Sequence, residues 1–312
     1  MGRDLIAVVG PTCTGKGTLA LALGDELGGP GQVAVVVCDS VKIYRGADVG
    51  TAKIAAPDRR GFDFYMLDVA DPGETFSAGR YMVAAREACE AVWAEGKTVI
   101  VAGGTGLYFR ALLDGICAAP PANAAVRSRL RVRAAEGEDL YETLRRVDPP
   151  AASGIKRGDA ARIIRALEVY ETTGLPITGF RVEGSPPLRR DRTLVLILDG
   201  PKPWVAERID RRTTALVAGG LREETEKLLA RVGSAEAPPL NAIGYRHMVA
   251  ALAGELRPDE LITAIARDTR RLAKRQRTWF RREERGVWLE ANLEVAALVE
   301  GALRLWKGAL PS

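Results

Sequence analysis

The sequence is poor in nitrogen and sulfur metal ligands: its 312 residues contain one histidine, His247, and four cysteines. Cys13, Cys38, Cys89 and Cys117 lie far apart and form no CxxC pair. Neither a zinc site nor a disulfide framework is expected from that spacing. Long apolar runs are also missing, and none approaches the ~18 residues that a membrane span requires. No charged leader, apolar segment and cleavage site precede the first strand-like run at Asp4, so a cytoplasmic protein with no membrane partner is the expectation. Neither sign of charge dominates. Lys and Arg total 45 against 40 for Asp and Glu, a net charge of +5, so the placement of the cations decides whether nucleic acid is a partner.

Hydrophobic residues make up 47% of the chain, enough at this length to bury a large core. Short β-branched runs recur at Leu5–Val9, Val33–Val37, Thr98–Ala102 and Leu194–Leu198, the pattern of strands buried on both faces. Helical patterns separate them at Thr18–Leu27, Ser77–Glu95 and Gly106–Leu113, and four more follow at Pro203–Ala218, Leu221–Val232, Ala242–Ala253 and Asp259–Arg285. The expected fold is α/β, with a mainly parallel sheet and flanking helices. From Cys117 to Arg190 the strand signal vanishes. Pro120 and Pro121 open this stretch, Ser185–Pro187 closes it, and helical periodicity runs through Ala125–Glu136, Asp139–Arg146 and Asp159–Thr172. The organisation expected is a catalytic body of residues 1–117 and 190–312 with an inserted helical lobe of residues 118–189, the substrate lying in the cleft between them. Arginines concentrate at Arg127–Arg133, Arg157–Arg165 and Arg267–Arg285, and each run reads either as a solvated helix face or as a nucleic-acid contact.

The string LIAVVGPTCTGKGTLALAL sets a buried strand, a loop and a helix in that order. In that context G-x-x-x-x-G-K describes a phosphate-binding loop of the ATP-binding type. Gly10, Pro11, Thr12, Cys13, Thr14, Gly15, Lys16, Gly17 and Thr18 form it. Its amides, the positive end of the following helix and the Lys16 ammonium are suited to neutralise a di- or triphosphate. Position 17 holds glycine where Ser or Thr is usual, and the hydroxyl arrives one residue later on Thr18, the candidate metal ligand. The second strand-like run ends in VCDS, which puts Asp39 and Ser40 at a strand's carboxyl end, where ligands bind in open α/β sheets. Asp39 is a candidate metal ligand, general base or helix N-cap. The third run ends in AGGTG and presents the Thr105 hydroxyl, so Lys16, Asp39 and Thr105 are expected to face one cleft.

At these residues the chain resembles the tRNA dimethylallyltransferases, also called tRNA isopentenyltransferases. The resemblance runs in order through GPTCTGKGT at Gly10, DSVKIYRGADVGTAK at Asp39, DVADPGETFSA at Asp68, AGGTGLYFRALLDGI at Ala102, RALEVYETTGLP at Arg165, AIGYR at Ala242 and LAKRQRTWFRR at Leu272. The phosphate loop is shared by many unrelated enzymes; the DS…YRG…GTAK and AKRQRTWF strings carry the specificity. The resemblance implies a P-loop NTPase-like body with a helical insertion. It also implies transfer of the dimethylallyl group from dimethylallyl diphosphate to the exocyclic amine of the adenosine 3′ of the anticodon, with magnesium (Mg) assisting and diphosphate leaving. The tRNA anticodon stem-loop would be held by the two parts with the target base flipped into a channel, and one complete site per chain suggests a monomer.

An adenine exocyclic amine is a weak nucleophile because its lone pair is delocalised into the ring, so the reaction calls for a carboxylate that takes the proton as the C–N bond forms. Asp39 is the candidate base. Thr105 is expected to hydrogen-bond that carboxylate or the diphosphate, and Lys16 to stabilise the leaving group. Arg212 matches a family position that contacts the diphosphate, with Arg208 one turn earlier as a helper. The grip on tRNA is assigned to Asp39, Ser40, Val41, Lys42, Thr105, Arg127, Arg162, Arg165, Gly244, Tyr245, Arg246, Lys274, Arg275 and Gln276. Arginines would meet phosphates, and Gln276 with the Ser40–Lys42 segment would meet base edges. Trp279 and Phe280 read as core residues of the last helix, with base stacking as the alternative.

Several positions depart from the family's usual pattern: Gly17; Lys42, where glutamine or a small polar residue is common; Phe64, where histidine is expected; KRGD at Lys156–Asp159 in place of HPND; and His247 in place of glutamine. Two rival readings follow from the residues alone. GKGT with its late hydroxyl is also how adenylate kinases write this loop, which allows a nucleoside monophosphate kinase with the insertion as lid. A catalytically inactive RNA-binding relative would keep the fold and the basic surface without the chemistry.

Overall fold

The computed structural model describes residues 4–180, 187–188 and 192–308. Ser185 and Pro186, read above as closing the insertion, lie outside the described residues, as do residues 189–191 at the expected return to the body. The six strands are β1 (Asp4–Val9), β2 (Val33–Cys38), β3 (Asp63–Tyr65), β4 (Thr98–Gly103), β5 (Arg192–Asp199) and β6 (Gly286–Glu290). They form one parallel sheet in the order β3-β2-β4-β1-β5-β6. β1, β2 and β4 are continuous apolar runs because both faces of the sheet are covered. On one face Tyr81, Trp93, Phe109 and Leu112 join Leu5, Val36 and Val101; on the other Leu19, Leu23, Leu298 and Trp306 join Ile6, Val8 and Ile100.

The helices that supply these layers are α1 (Lys16–Glu26), α2 (Ala78–Ala94) and α3 (Gly106–Asp114), followed by α4 (Ala124–Ala135), α5 (Leu140–Val147), α6 (Pro149–Gly154) and α7 (Ala160–Thr173). After β5 come α8 (Lys202–Ala218), α9 (Leu221–Val232), α10 (Tyr245–Leu252), α11 (Leu261–Phe280) and α12 (Val295–Gly308). Two elements were unexpected at the sheet edges. β3 has only three residues, one of them exposed, and carries no periodic signal. β6 falls directly after the segment read as helix to Arg285: α11 stops at the buried Phe280, and the chain turns through residues 281–285 to pair with β5. Its side chains are partly exposed, so tertiary pairing makes it a strand.

The chain divides into two compact units, residues 1–113 with 188–312 and residues 114–187. The second unit contains α4 to α7, packed through Val126, Leu130, Leu144, Ile163 and Leu167. One of its buried acids is Glu168, 1% exposed, which accepts from the Asn123 amide, from Arg127 Nε at 3.0 Å and from Arg165 Nη1 at 2.8 Å. Desolvating a carboxylate is tolerable here because two guanidiniums and an amide neutralise it. α7 ends at Gly174 in the left-handed conformation that favours glycine.

Candidate active site

Strand register brings the sequence motifs together. Val9 and Cys38 both pair with Gly103, so β1, β2 and β4 end at the same level and deliver the Gly10 loop, Asp39 and Thr105 side by side. Only glycine fits at position 10: its φ is +136°, and a Cβ there would lie 2.2 Å from the Leu198 carbonyl oxygen. At position 104 a Cβ would meet Gln276 Nε2 at 2.5 Å, so the Gln276 side chain would have to shift. The resulting cavity has a volume of about 1550 Å³, and its wall includes Lys16, Gly17, Thr18, Asp39, Thr105 and Arg212. Every residue lining it belongs to the first unit.

Asp39 makes the turn that follows β2. Its Oδ1 accepts from the Val41 and Lys42 amides at 2.9 and 3.2 Å, while Oδ2 receives no hydrogen bond among the described residues. No helix begins here, so the helix N-cap alternative is not met: the carboxylate holds a turn with one oxygen and leaves the other without a hydrogen bond among the described residues. Of its two expected partners, Thr105 does not hydrogen-bond the Asp39 carboxylate. Its Oγ1 accepts from the Ser40 amide at 3.1 Å and lies 3.4 Å from Ser40 Oγ, so it ties the β4 loop to the β2 loop and leaves Asp39 untouched.

Cations surround the phosphate loop. Lys16 donates to the Pro11 carbonyl, Arg208 Nε to the Cys13 carbonyl at 2.8 Å, and Arg212 Nη2 to the Thr51 carbonyl at 3.0 Å. Arg212 Nη1 also reaches Thr12 Oγ1 at 3.4 Å. Burial, then the neighbouring charge of Lys42, lowers the Lys16 ammonium to about 8. Electrostatically this is a site short of negative charge.

Gln276 was expected on base edges, but its amide is committed to the protein. Oε1 accepts from the Thr12 amide at 2.8 Å and Nε2 donates to the Gly104 carbonyl at 2.9 Å, so α11 clamps the phosphate loop to the β4 loop. Arg277 anchors the same turn of helix on Asp199 at the end of β5. Gly244 and Tyr245 are buried, Tyr245 completely, so they do not offer RNA a surface. The Tyr245 hydroxyl donates to Glu224, which also accepts from the amides of Asp48, Val49 and Gly50. Nothing in the sequence pattern singled out that Glu224 anchor, because its partners are backbone groups more than 170 residues away. Arg127 and Arg165 are committed to Glu168, whereas Arg162 is 58% exposed with only Asp159 nearby at 3.5 Å. Arg246 lines the cavity but pairs with Asp268 at 2.6 Å. Lys274 and Arg275 are exposed and make no ion pair among the described residues, and a second cavity of about 240 Å³ lies over them with Trp279 and Arg282. Phe280 is fully buried, and Trp279 is half-buried against the core with Arg110 over its ring at 5.0 Å.

The departures in sequence fall in distinct places. Phe64 lines the cavity beneath Arg59, His247 is buried 3.3 Å from Asp268, and Asp159 caps α7 through the Arg162 amide. No group of three His, Cys, Asp or Glu side chains that could hold a metal occurs among the described residues. Magnesium would not require such a group, since it commonly takes one or two protein oxygens and completes its shell with phosphate and water. Thr18, the candidate metal ligand, is exposed on the first turn of α1 at the cavity wall, and its hydroxyl makes no hydrogen bond among the described residues. Gly17 beside it has open space, with no heavy atom within 4 Å of a Cβ placed there. Gly17→Ser should therefore fold, gain up to about 1 kcal/mol from better helix propensity, and lower the magnesium concentration for half-maximal rate. A magnesium titration of both proteins checks this; an unchanged midpoint means Thr18 already supplies the contact.

A parallel sheet with a glycine-rich loop after β1, an acid after β2 and a cation-lined cavity at its carboxyl edge defines a P-loop α/β protein. The family model described as IPP transferase matches residues 42–283. Among curated relatives, tRNA dimethylallyltransferase 1 of Trichlorobacter lovleyi is 41% identical over 97% of this chain and 98% of its own, and tRNA dimethylallyltransferase of Thermomicrobium roseum is 41% identical over 93% and 87%. The crystal structure of the tRNA isopentenylpyrophosphate transferase of Bacillus halodurans superposes with a TM-score of 0.72 at 30% identity, covering 98% of this chain and 96% of that one. This chain belongs to the tRNA dimethylallyltransferase family.

Proposed function

We propose that this enzyme transfers the dimethylallyl group of dimethylallyl diphosphate to the exocyclic amine of the adenosine 3′ of the anticodon in tRNA. The observation that carries the reading is the shared cavity in which the free Oδ2 of Asp39 and the cation-rich phosphate loop face the same space. The loop amides, Lys16 and Arg212 bind the diphosphate and hold the allyl carbon toward Asp39. As the carbon–oxygen bond breaks, charge grows on the bridging oxygen and these donors stabilise it more strongly than in the ground state. Asp39 accepts the proton that the amine loses as the C–N bond forms. Magnesium, when bound at Thr18 and the diphosphate, adds charge neutralisation. Thr105 and Gln276 act by position, locking the three loops to one another.

The arginine-rich unit of residues 114–187, with the exposed Arg162 as a contact, is assigned to the anticodon stem-loop. Lys274 and Arg275 on α11 are assigned to tRNA phosphates, and their freedom from carboxylates supports this. We take the enzyme to act as a cytoplasmic monomer. Arg275→Ala should weaken tRNA binding and reduce the salt slope by about one counterion, with little change in turnover at saturating tRNA. Binding titrations from 50 to 200 mM salt, on the order used for such slopes, check this; a salt-independent loss of turnover contradicts it. The reaction itself is tested by incubating the protein with dimethylallyl diphosphate, magnesium and unmodified tRNA without ATP. Prenylated adenosine in the digested tRNA is the expected result. Its absence, together with phosphoryl transfer from ATP to a nucleoside monophosphate, defeats the reading.

A further inference from the structure

We infer that Lys42 is a ligand of the diphosphate, a fourth cation beside Lys16, Arg208 and Arg212, and not a tRNA contact; the inference rests on the prenyl-transfer reading above. Lys42 lines the main cavity, and its Nζ donates to the Ala52 carbonyl at 2.9 Å. The adjacent carbonyl, Thr51, accepts from Arg212, whose other nitrogen reaches Thr12 of the phosphate loop. One short turn therefore parks two cations against the loop. Ala52 holds a left-handed backbone, φ +47°, which a non-glycine residue adopts at some cost.

What all four cations share is the kind of partner they have. Lys16, Lys42, Arg208 and Arg212 each donate to a main-chain carbonyl, of Pro11, Ala52, Cys13 and Thr51, and none pairs with a carboxylate among the described residues. Three other cations at the same wall are already neutralised, Arg60 by Asp25, Arg211 by Glu207 and Arg246 by Asp268, while Arg275, also at the wall, makes no ion pair among the described residues and is exposed on the helix face assigned to tRNA. The carboxylates that line the cavity are Asp39 and the exposed Asp58. Four cations around a single inner carboxylate form an unfavourable cluster until a polyanion enters, and a diphosphate carries the charge to balance it. Burial and then the charge of Lys42 lower the Lys16 ammonium, while burial, against the raising effect of Asp39, and the charges of Arg212 and Lys53 lower the Lys42 ammonium. Their three-donor ammonium groups have hydrogens to spare for phosphate oxygens.

Lys42→Gln isolates the charge, because the amide can still donate to the Ala52 carbonyl and hold the turn. Calorimetric titration of the full-length protein with inorganic pyrophosphate in EDTA should show at least tenfold weaker binding for Lys42→Gln, in line with loss of a charged hydrogen bond. Lys42→Arg should keep most of the affinity, tRNA binding should change less than twofold, and the melting temperature of the ligand-free variant should stay level or rise as a desolvated charge is removed. Pyrophosphate affinity within twofold of the parent, or a larger loss in tRNA binding than in pyrophosphate binding, overturns the assignment. Lys42→Met serves the same test should Lys42→Gln not fold. Prenylation assays of the unaltered protein run in parallel: pyrophosphate binding without prenyl transfer defeats the functional reading and leaves Lys42 standing, whereas prenyl transfer with Lys42→Gln binding pyrophosphate normally defeats Lys42 alone.

Discussion

Asp39→Asn should lower the single-turnover rate of prenyl transfer by about 10²–10⁴ while tRNA affinity stays within roughly tenfold. The asparagine oxygen can replace Oδ1 as the acceptor for the Val41 and Lys42 amides, so the turn after β2 is preserved. What is lost is the carboxylate oxygen that makes no hydrogen bond among the described residues and is available to take the amine proton. Asp39→Ala removes the turn's acceptor as well, and should abolish transfer with an added loss of stability of about 1 kcal/mol. Rate and binding are measured separately, by quenched single turnover and by filter binding. Equal losses in both for Asp39→Asn mean that Asp39 docks tRNA and does not accept the proton.

Lys16→Ala should cost about 10²–10³ in turnover, the range for removing one donor from a developing oxyanion, and weaken dimethylallyl diphosphate binding. A pH dependence follows from its lowered proton affinity. Burial and the charge of Lys42 disfavour the ammonium, so the free enzyme holds it below about pH 8 and loses it above. The neutral amine attracts no phosphate, and kcat/KM for dimethylallyl diphosphate should decline as pH rises through 8. Lys16→Arg, which stays charged, should be slower but lack that decline. For folding the sign is opposite: between pH 8 and 10.5 the unfolded chain binds a proton at Lys16 that the folded protein does not, so this group adds stability as pH rises across that window. A kcat/KM profile that is flat through pH 8 for the unaltered enzyme would exclude Lys16 as the titrating group.

Glu224 illustrates what the sequence hides. The DVGTAK string was legible as a motif, but its shape depends on a carboxylate from α9 that collects three consecutive amides. Gln276 shows the converse, a residue legible by motif whose task changed once its neighbours were known. In the sequence it belongs to a basic run and suggests a nucleic-acid contact. In the fold it faces the Thr12 amide and the Gly104 carbonyl, and its hydrogen-bonding groups are drawn inward. Arg127 and Arg165 shifted for the same reason: a basic run does not disclose that Glu168 is buried between them.

The sequence alone determined the parallel sheet and the phosphate loop. Both are encoded locally: β-branched runs buried on two faces, and glycines required by positive φ and by close backbone approach, can be read without knowing what packs against them. It also marked Lys16 and Asp39, because each sits at a fixed distance from the end of a strand. Only the tertiary structure decided which cations remain without a carboxylate. The two edge strands, the inward turn of Gln276 and the convergence of Lys42 with Arg212 all depend on partners remote in the chain. Charge balance and strand pairing are sums over spatial neighbours, and sequence spacing does not specify those neighbours until the sheet register aligns the ends of β1, β2 and β4.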